Sequence, residues 1–330
     1  MRHRNRIALP LVVLSLLALA FQLPSCGGGG GSSAPATGVT RGAITGFGSI
    51  WVNGVEIRTD NTTVRTHPDD NNLDIESPDD VAFRPGMVVT VKYRTSDNMA
   101  TSVIYRNELS GPIDAIDPVA RTFTVLGFTI HEDNTYYDGL AAGATLDNLA
   151  VGNVVEVSGL PDNVGVVQAT YVDFQAAAAQ AGEIFEVKGY VNSLDPVAKT
   201  FTLTLVPGGA GGVAVNYAGA TDVSVGLANN DFVEVKVTAT AAPLAATAVE
   251  KVNDLSDDSV GATKVSVSGF VSGLAGDATA GYTFFIGGQS VRVAPGTTGI
   301  GLVVAGAKLD VEGPIDAAGV LQAVKVEPEL

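Results

Sequence analysis

The stretch Ile116-Asp117-Pro118-Val119-Ala120-Arg121-Thr122-Phe123-Thr124 returns later in the chain as Leu194-Asp195-Pro196-Val197-Ala198-Lys199-Thr200-Phe201-Thr202. Seven of the nine positions are identical, and the other two exchange Ile for Leu and Arg for Lys. So close a match marks an internal copy, and copies at such a spacing mean a repeat architecture. Asp-Pro starts a turn, because proline fixes φ while the aspartate side chain bonds nearby backbone groups. The Thr-Phe-Thr that follows sends alternate side chains to opposite faces, the period of a half-buried strand. What is copied is therefore a turn leading into a β-strand.

Working outward, the same layout occurs four times. Each unit opens on a glycine with a β-branched residue two positions on: Gly42-Ala43-Ile44, Gly111-Pro112-Ile113, Gly189-Tyr190-Val191 and Gly269-Phe270-Val271. Late in each unit comes an alternating strand, as in Gly86 to Val91, Gly152 to Val157, Asp231 to Val235 and Gly306 to Val311. Each unit closes on an alanine-led strand beginning at Ala100, Ala169, Ala248 or Ala323. Short hairpins fall between: Asn53-Gly54 carries the strongest two-residue turn signal, and Gly127 and Gly287-Gly288 hold equivalent places.

About six short strands per unit would leave open sheet edges unless the sheet curled shut. The expectation is an all-β protein of tandem small closed or partly open barrels, at 41–107, 108–175, 183–253 and 264–328. The stretches Ala176 to Ala179 and Asp254 to Ala262 read as linkers. Units this small have small cores, so contact between neighbours is a further source of burial. Whether the row is rigid or jointed stays open, as does the choice between strand bending and close packing for the opening glycines. Glycine, proline and β-branched residues recur throughout, which disfavours long helices.

At the N-terminus, Arg2, Arg4 and Arg6 precede an apolar run from Ile7 to Leu23, the pattern of an export signal. Leu23-Pro24-Ser25-Cys26 resembles the processing site of bacterial lipoproteins, with Pro24 departing from the usual residue. That resemblance implies a diacylglycerol on Cys26, the chain's only cysteine. Gly27 in place of aspartate after it favours the outer membrane. A signal-anchor helix with a free Cys26, or a periplasmic or secreted form, are the alternatives. The Gly27 to Gly31 run with Ser32-Ser33 reads as a spacer between anchor and body. Residues 26–40 would then be a lipidated linker behind a signal peptide of residues 1–25.

Removal of residues 1–25 takes away three arginines and no acid, leaving 16 basic and 35 acidic side chains, a net charge of -19. Such a body disfavours binding to a phosphate backbone, so nucleic acid is not an expected partner. The expected partners are the membrane, through the lipid, with an envelope protein, a polymer or a second copy as open alternatives.

The order and residues of the units resemble a bacterial family of β domains, the domain of unknown function numbered 5666. Unit 2 carries the resemblance best, through Gly111, Ile113, Thr122 to Val125, Gly127, Ile130, Gly152, Val155, Val157 and Ala169. In unit 3, Val206 to Gly212 replaces the tight hairpin and Asn230 stands near the late glycine position. Unit 1 carries an insertion from Thr66 to Ala82, and the first hairpin of unit 4 is degenerate around Gly273 to Gly281. The resemblance implies tandem export-associated β domains and brings no known catalytic residue.

Reactive constellations are sparse. Only His67 and His131 follow the signal, in different units, and no nucleophile elbow or zinc motif is present. No catalytic residue and no cofactor are expected. The acidic insertion offers hard oxygen ligands in Asp69, Asp70, Asp74, Glu76, Asp79 and Asp80, the candidate cation ligands, without the spacing of an EF-hand. Asp257 and Asp258 are a carboxylate pair with no aromatic platform for a sugar nearby. The leading expectation is a noncatalytic exported lipoprotein that acts as a structural, spacer or assembly module of the cell envelope. The alternatives are a binding module for an extracellular polymer, protein or cation, with Trp51 and the acidic insertion as its surface, and a subunit of a surface filament.

Overall fold

The computed structural model describes residues 36–60, 63–66, 83–209, 211–252 and 254–329. The candidate cation ligands Asp69 to Asp80, His67 and Cys26 lie outside them. The described residues fall in one compact unit, and nearly all of their regular structure is β.

Unit 2 shows the plan. Its strands are Leu109–Asp117, Thr122–Val125, Phe128–Asp138, Val154–Pro161 and Val167–Ala176. The first pairs with the second, the second with the third, and the third runs parallel to the fifth. The fifth pairs with the fourth, and the fourth returns to the first, so the sheet closes on itself. The order 1-2-3-5-4-1, with a parallel 3·5 pair, is the connectivity of an OB-type Greek-key barrel. Closure leaves no free sheet edge, which is the physical reason a short-stranded sheet of this size is stable.

Unit 3 closes in the same order. In unit 4 the first strand is split into Lys264–Phe270 and Ser272–Asp277. In unit 1 the third position reaches the fifth strand through an Arg58–Met99 bridge and the short strand Val64–Thr66. The expected six short strands thus reduce to five barrel positions, with extra pieces in units 1, 3 and 4.

The repeated glycines now have separate jobs. At the opening position a side chain would collide with the next strand: a Cβ on Gly189 would lie 2.7 Å from the Thr204 carbonyl oxygen, and one on Gly42 2.0 Å from Asn53 Oδ1. Close packing is thus the constraint at Gly42 and Gly189, whereas Gly111 and Gly269 also take positive φ values of 155° and 154° that side chains rarely adopt. The late glycines have positive φ, 86° at Gly86, 91° at Gly152 and 78° at Gly306, and unit 3 places Asn230 there at 69°. Asparagine is the side chain best able to take a left-handed conformation, so the substitution keeps the turn. In each unit this residue's amide donates to the carbonyl of the β-branched residue after the opening glycine: Gly86 to Ile44, Gly152 to Ile113, Asn230 to Val191 and Gly306 to Val271. The opening and late motifs are two halves of one clamp.

The cores are filled by the inward residues of these strands. In unit 2 they include Ile113, Phe123, Val125, Ile130, Val155 and Val157, and Leu146 of a short 3-10 turn joins them. Units 2 and 3 share one continuous apolar cluster. The core of unit 1 takes in Tyr171 from unit 2, and that of unit 4 takes in Val39 from unit 1 and Leu255 from the segment before it. The barrels are individually closed, yet their cores are not independent.

Candidate functional site at the junctions between units

Several of the buried charged and polar side chains lie where units meet. Units 1 and 4 join strand to strand: Thr37–Gly46 runs parallel to Lys264–Phe270. Across that seam Thr40 Oγ1 and Ser266 Oγ lie 2.8 Å apart. Asn53, at the tip of the first hairpin, donates through Nδ2 to Thr40 Oγ1 and to the Arg41 carbonyl, each at 3.0 Å. Its Oδ1 accepts the Ser268 hydroxyl at 2.6 Å. Positive φ values at Asn53 (52°) and Gly54 (70°) form the hairpin turn that aims this amide inward.

The stretch Asp254 to Ala262 differs from the linker expectation. It folds into a short helix, Asp254–Asp258, with Leu255 buried. The Asp258 carboxylate meets Lys92 and Arg106 of unit 1, each at 3.0 Å. Asp257 is exposed, so the two neighbouring carboxylates do not face one another across a cleft. Two basic side chains on unit 1 and an apolar slot for Leu255 convert this connection into packed structure.

Units 1 and 2 meet through Arg84 and Asp138, 2.6 Å apart, and through Thr170, whose hydroxyl donates to the Gly86 carbonyl. The Arg84 guanidinium gains basicity from that carboxylate. The buried Tyr105 and Tyr171 rings meet edge to face, and the half-exposed Tyr136 stacks on the other side of Tyr171. Burial, then the nearby Asp138 charge, raises the Asp173 carboxyl. Units 3 and 4 meet through Tyr190, whose hydroxyl donates to the Gly287 carbonyl and whose ring packs on Phe232 and Phe285. Ala43, Val88, Leu160 and the partly buried Phe270 form a small apolar plug among units 1, 2 and 4.

Units 2 and 3 bury charge. Lys188, 1% exposed, has its ammonium 3.8 Å from Glu234, which also holds Lys236 at 3.2 Å. Glu108 and Glu186 are buried beside the same strands. Nearby, a groove of about 460 Å³ runs between unit 2 and the connection into unit 3, lined in part by Ser110, Glu156, Gln175, Gln180 and Glu183. Its floor is polar, and no aromatic face lies open along it apart from the buried Phe185.

Of the residues singled out by sequence, Trp51 lies on the outer side of its hairpin, 39% exposed. His131 Nδ1 sits 3.0 Å from Gln168 Oε1, and Gln168 Nε2 donates to Asp162. Unit 4 has the matching Gln322–Asp316 pair, with Arg292 across the strand from Gln322. The histidine thus occupies a surface ladder position. Among the described residues no group of three or more His, Cys, Asp or Glu side chains is placed to hold a metal ion. Nor is any helix among them long and apolar enough to cross a membrane. The sequence reading missed the Lys188 cluster and the Asn53 network. The one available signal was a lysine inside the apolar alternation of Phe185 to Val191.

No curated protein matches the chain. The profile of one family matches residues 39–103, 110–173, 188–250 and 268–327, one match for each barrel. The chain therefore belongs to the family described as Domain of unknown function (DUF5666), of which it carries four tandem copies.

Proposed function

We propose that the protein is a noncatalytic, exported structural module: a block of four fused barrels carried on a lipid at Cys26 and acting as a spacer or assembly body in the cell envelope. The observation that supports this best is where its buried and half-buried polar contacts fall. Asn53 with Ser268, Asp258 with Lys92 and Arg106, and Arg84 with Asp138 each tie one unit to another. Buried hydrogen-bonded groups of this kind fix geometry more than they add net stability. OB-type connectivity does not by itself assign a ligand.

A second reading, a binding module, draws on the acidic groove at Glu156 and Glu183. The experiment that separates the two is complementation in cells lacking the chain, scored by envelope integrity and by palmitate labelling of the membrane fraction. The structural reading expects labelling and rescue by the native chain, loss of both with Cys26→Ser, and full rescue by Glu156→Ala/Glu183→Ala. Rescue that fails with the groove variant while labelling persists favours the binding module. Absence of labelling in the native chain overturns the anchor.

A further inference from the structure

We propose that Asp310 and Glu329 form a proton-holding carboxyl pair that fastens the C-terminal strand of unit 4 beside its seam with unit 1. This goes beyond the structural role and does not depend on it. The pair lies on the outer face of unit 4, where strand register sets Asp310 opposite Ser268 on one side and Glu327 on the other. The Glu329 amide donates to the Lys308 carbonyl at 3.2 Å, anchoring the end of the strand. Asp310 Oδ1 and Glu329 Oε2 are both shut off from solvent without a hydrogen-bond partner. Two buried carboxylate oxygens without a donor are costly if both groups are ionised.

The surrounding cations relieve that cost only in part. On the closing strand Lys325 is taken by Glu327 at 2.7 Å, and on the opening strand Lys264 is taken by Glu312 at 2.8 Å. On the same strand as Asp310, Lys308 reaches Glu329 Oε1 at 3.0 Å. Tyr93 of unit 1 approaches from the other side as a neutral phenol. Among the described residues no cation forms an ion pair with Asp310; Lys264, held by Glu312, acts on it only at longer range.

Ser268, opposite Asp310 on the neighbouring strand, is already engaged. Asn53 Nδ2 donates to the Arg41 carbonyl, which can only accept, so the amide orientation is fixed and Asn53 Oδ1 must accept. The single Ser268 hydroxyl proton is therefore committed to Asn53. With that proton committed, Ser268 does not serve Glu329 Oε2, which has no donor. Burial, followed by repulsion from Glu329, Glu312 and Glu327, pushes Asp310 up to about 7, and burial likewise raises Glu329.

Both groups bind their proton more tightly folded than unfolded. Stability is therefore fullest below the ordinary carboxylate range and falls as pH rises toward and through about 7 at Asp310. The test is thermal unfolding of the full chain from pH 5 to pH 9 in a chelator, comparing the native protein with Asp310→Asn and with Asp257→Asn, an exposed control. Asp310→Asn, which mimics the protonated acid, is expected to raise the midpoint at pH 8 by roughly 2–5 °C and to flatten the native decline. Glu329→Gln should act in the same direction, and Asp257→Asn should follow the native curve. Native and Asp310→Asn curves that run parallel across this range, or an Asp310→Asn chain destabilised at every pH, would overturn the proposal.

Discussion

Asn53 and Ser268 stand 215 residues apart in the chain and meet at 2.6 Å, joining the first hairpin of unit 1 to the opening strand of unit 4. The contact closes the chain on itself: the first and last barrels are neighbours, held by a shared strand pair. Replacing both partners with alanine, singly and together, should give a coupling energy of about 1 kcal/mol in denaturant unfolding. Strict additivity of the two single changes would show that the hydrogen bond contributes nothing to the seam.

Gly152 tests the clamp within a unit. A Cβ there meets nothing within 4 Å, so its φ of 91° is the whole objection to a side chain. Gly152→Val should cost at least about 1–2 kcal/mol, whereas Asn230→Gly at the matching position of unit 3 should stay within about 0.5 kcal/mol of the native value. Urea midpoints for the two variants check this directly.

The buried Lys188 is predicted to be sensitive to the loss of its charge. Lys188→Met removes the buried ammonium 3.8 Å from Glu234, and should lower stability by about 3 kcal/mol. Adding Glu234→Gln should recover part of that loss, because the buried carboxylate that faced the ammonium is then neutral. Circular dichroism melts of the single and double variants measure the recovery.

Asp258 should control access to the connection between units 3 and 4. Asp258→Ala removes both ion pairs to unit 1, and limited proteolysis should then cut between residues 254 and 262 several-fold faster than in the native chain. An unchanged cleavage rate would mean that Leu255 alone holds the segment.

The strands, their period and the fourfold layout were legible because alternation and turn chemistry are local. Asp117 shows why: its side chain accepts from the amides of Val119 and Ala120, and Asp195 does the same with Val197 and Ala198. The junctions were not legible, because Asn53 reads as a turn residue and nothing near it in sequence announces Ser268. Asp254 to Ala262 misled for a related reason. Its acids look solvated until Lys92 and Arg106 arrive from elsewhere in the chain.

Units 1 and 4 abut through Thr37–Gly46 and Lys264–Phe270, and an engineered disulfide across that seam reports on the contact. In a Cys26→Ser background, Thr40→Cys and Ser266→Cys place two thiols where the native hydroxyls lie 2.8 Å apart. Mild oxidation should convert the dilute monomer almost fully to an internally bridged form, seen as a mobility shift reversed by reductant. Thiols that remain free, or that pair only between molecules, would contradict the closed arrangement of the four barrels.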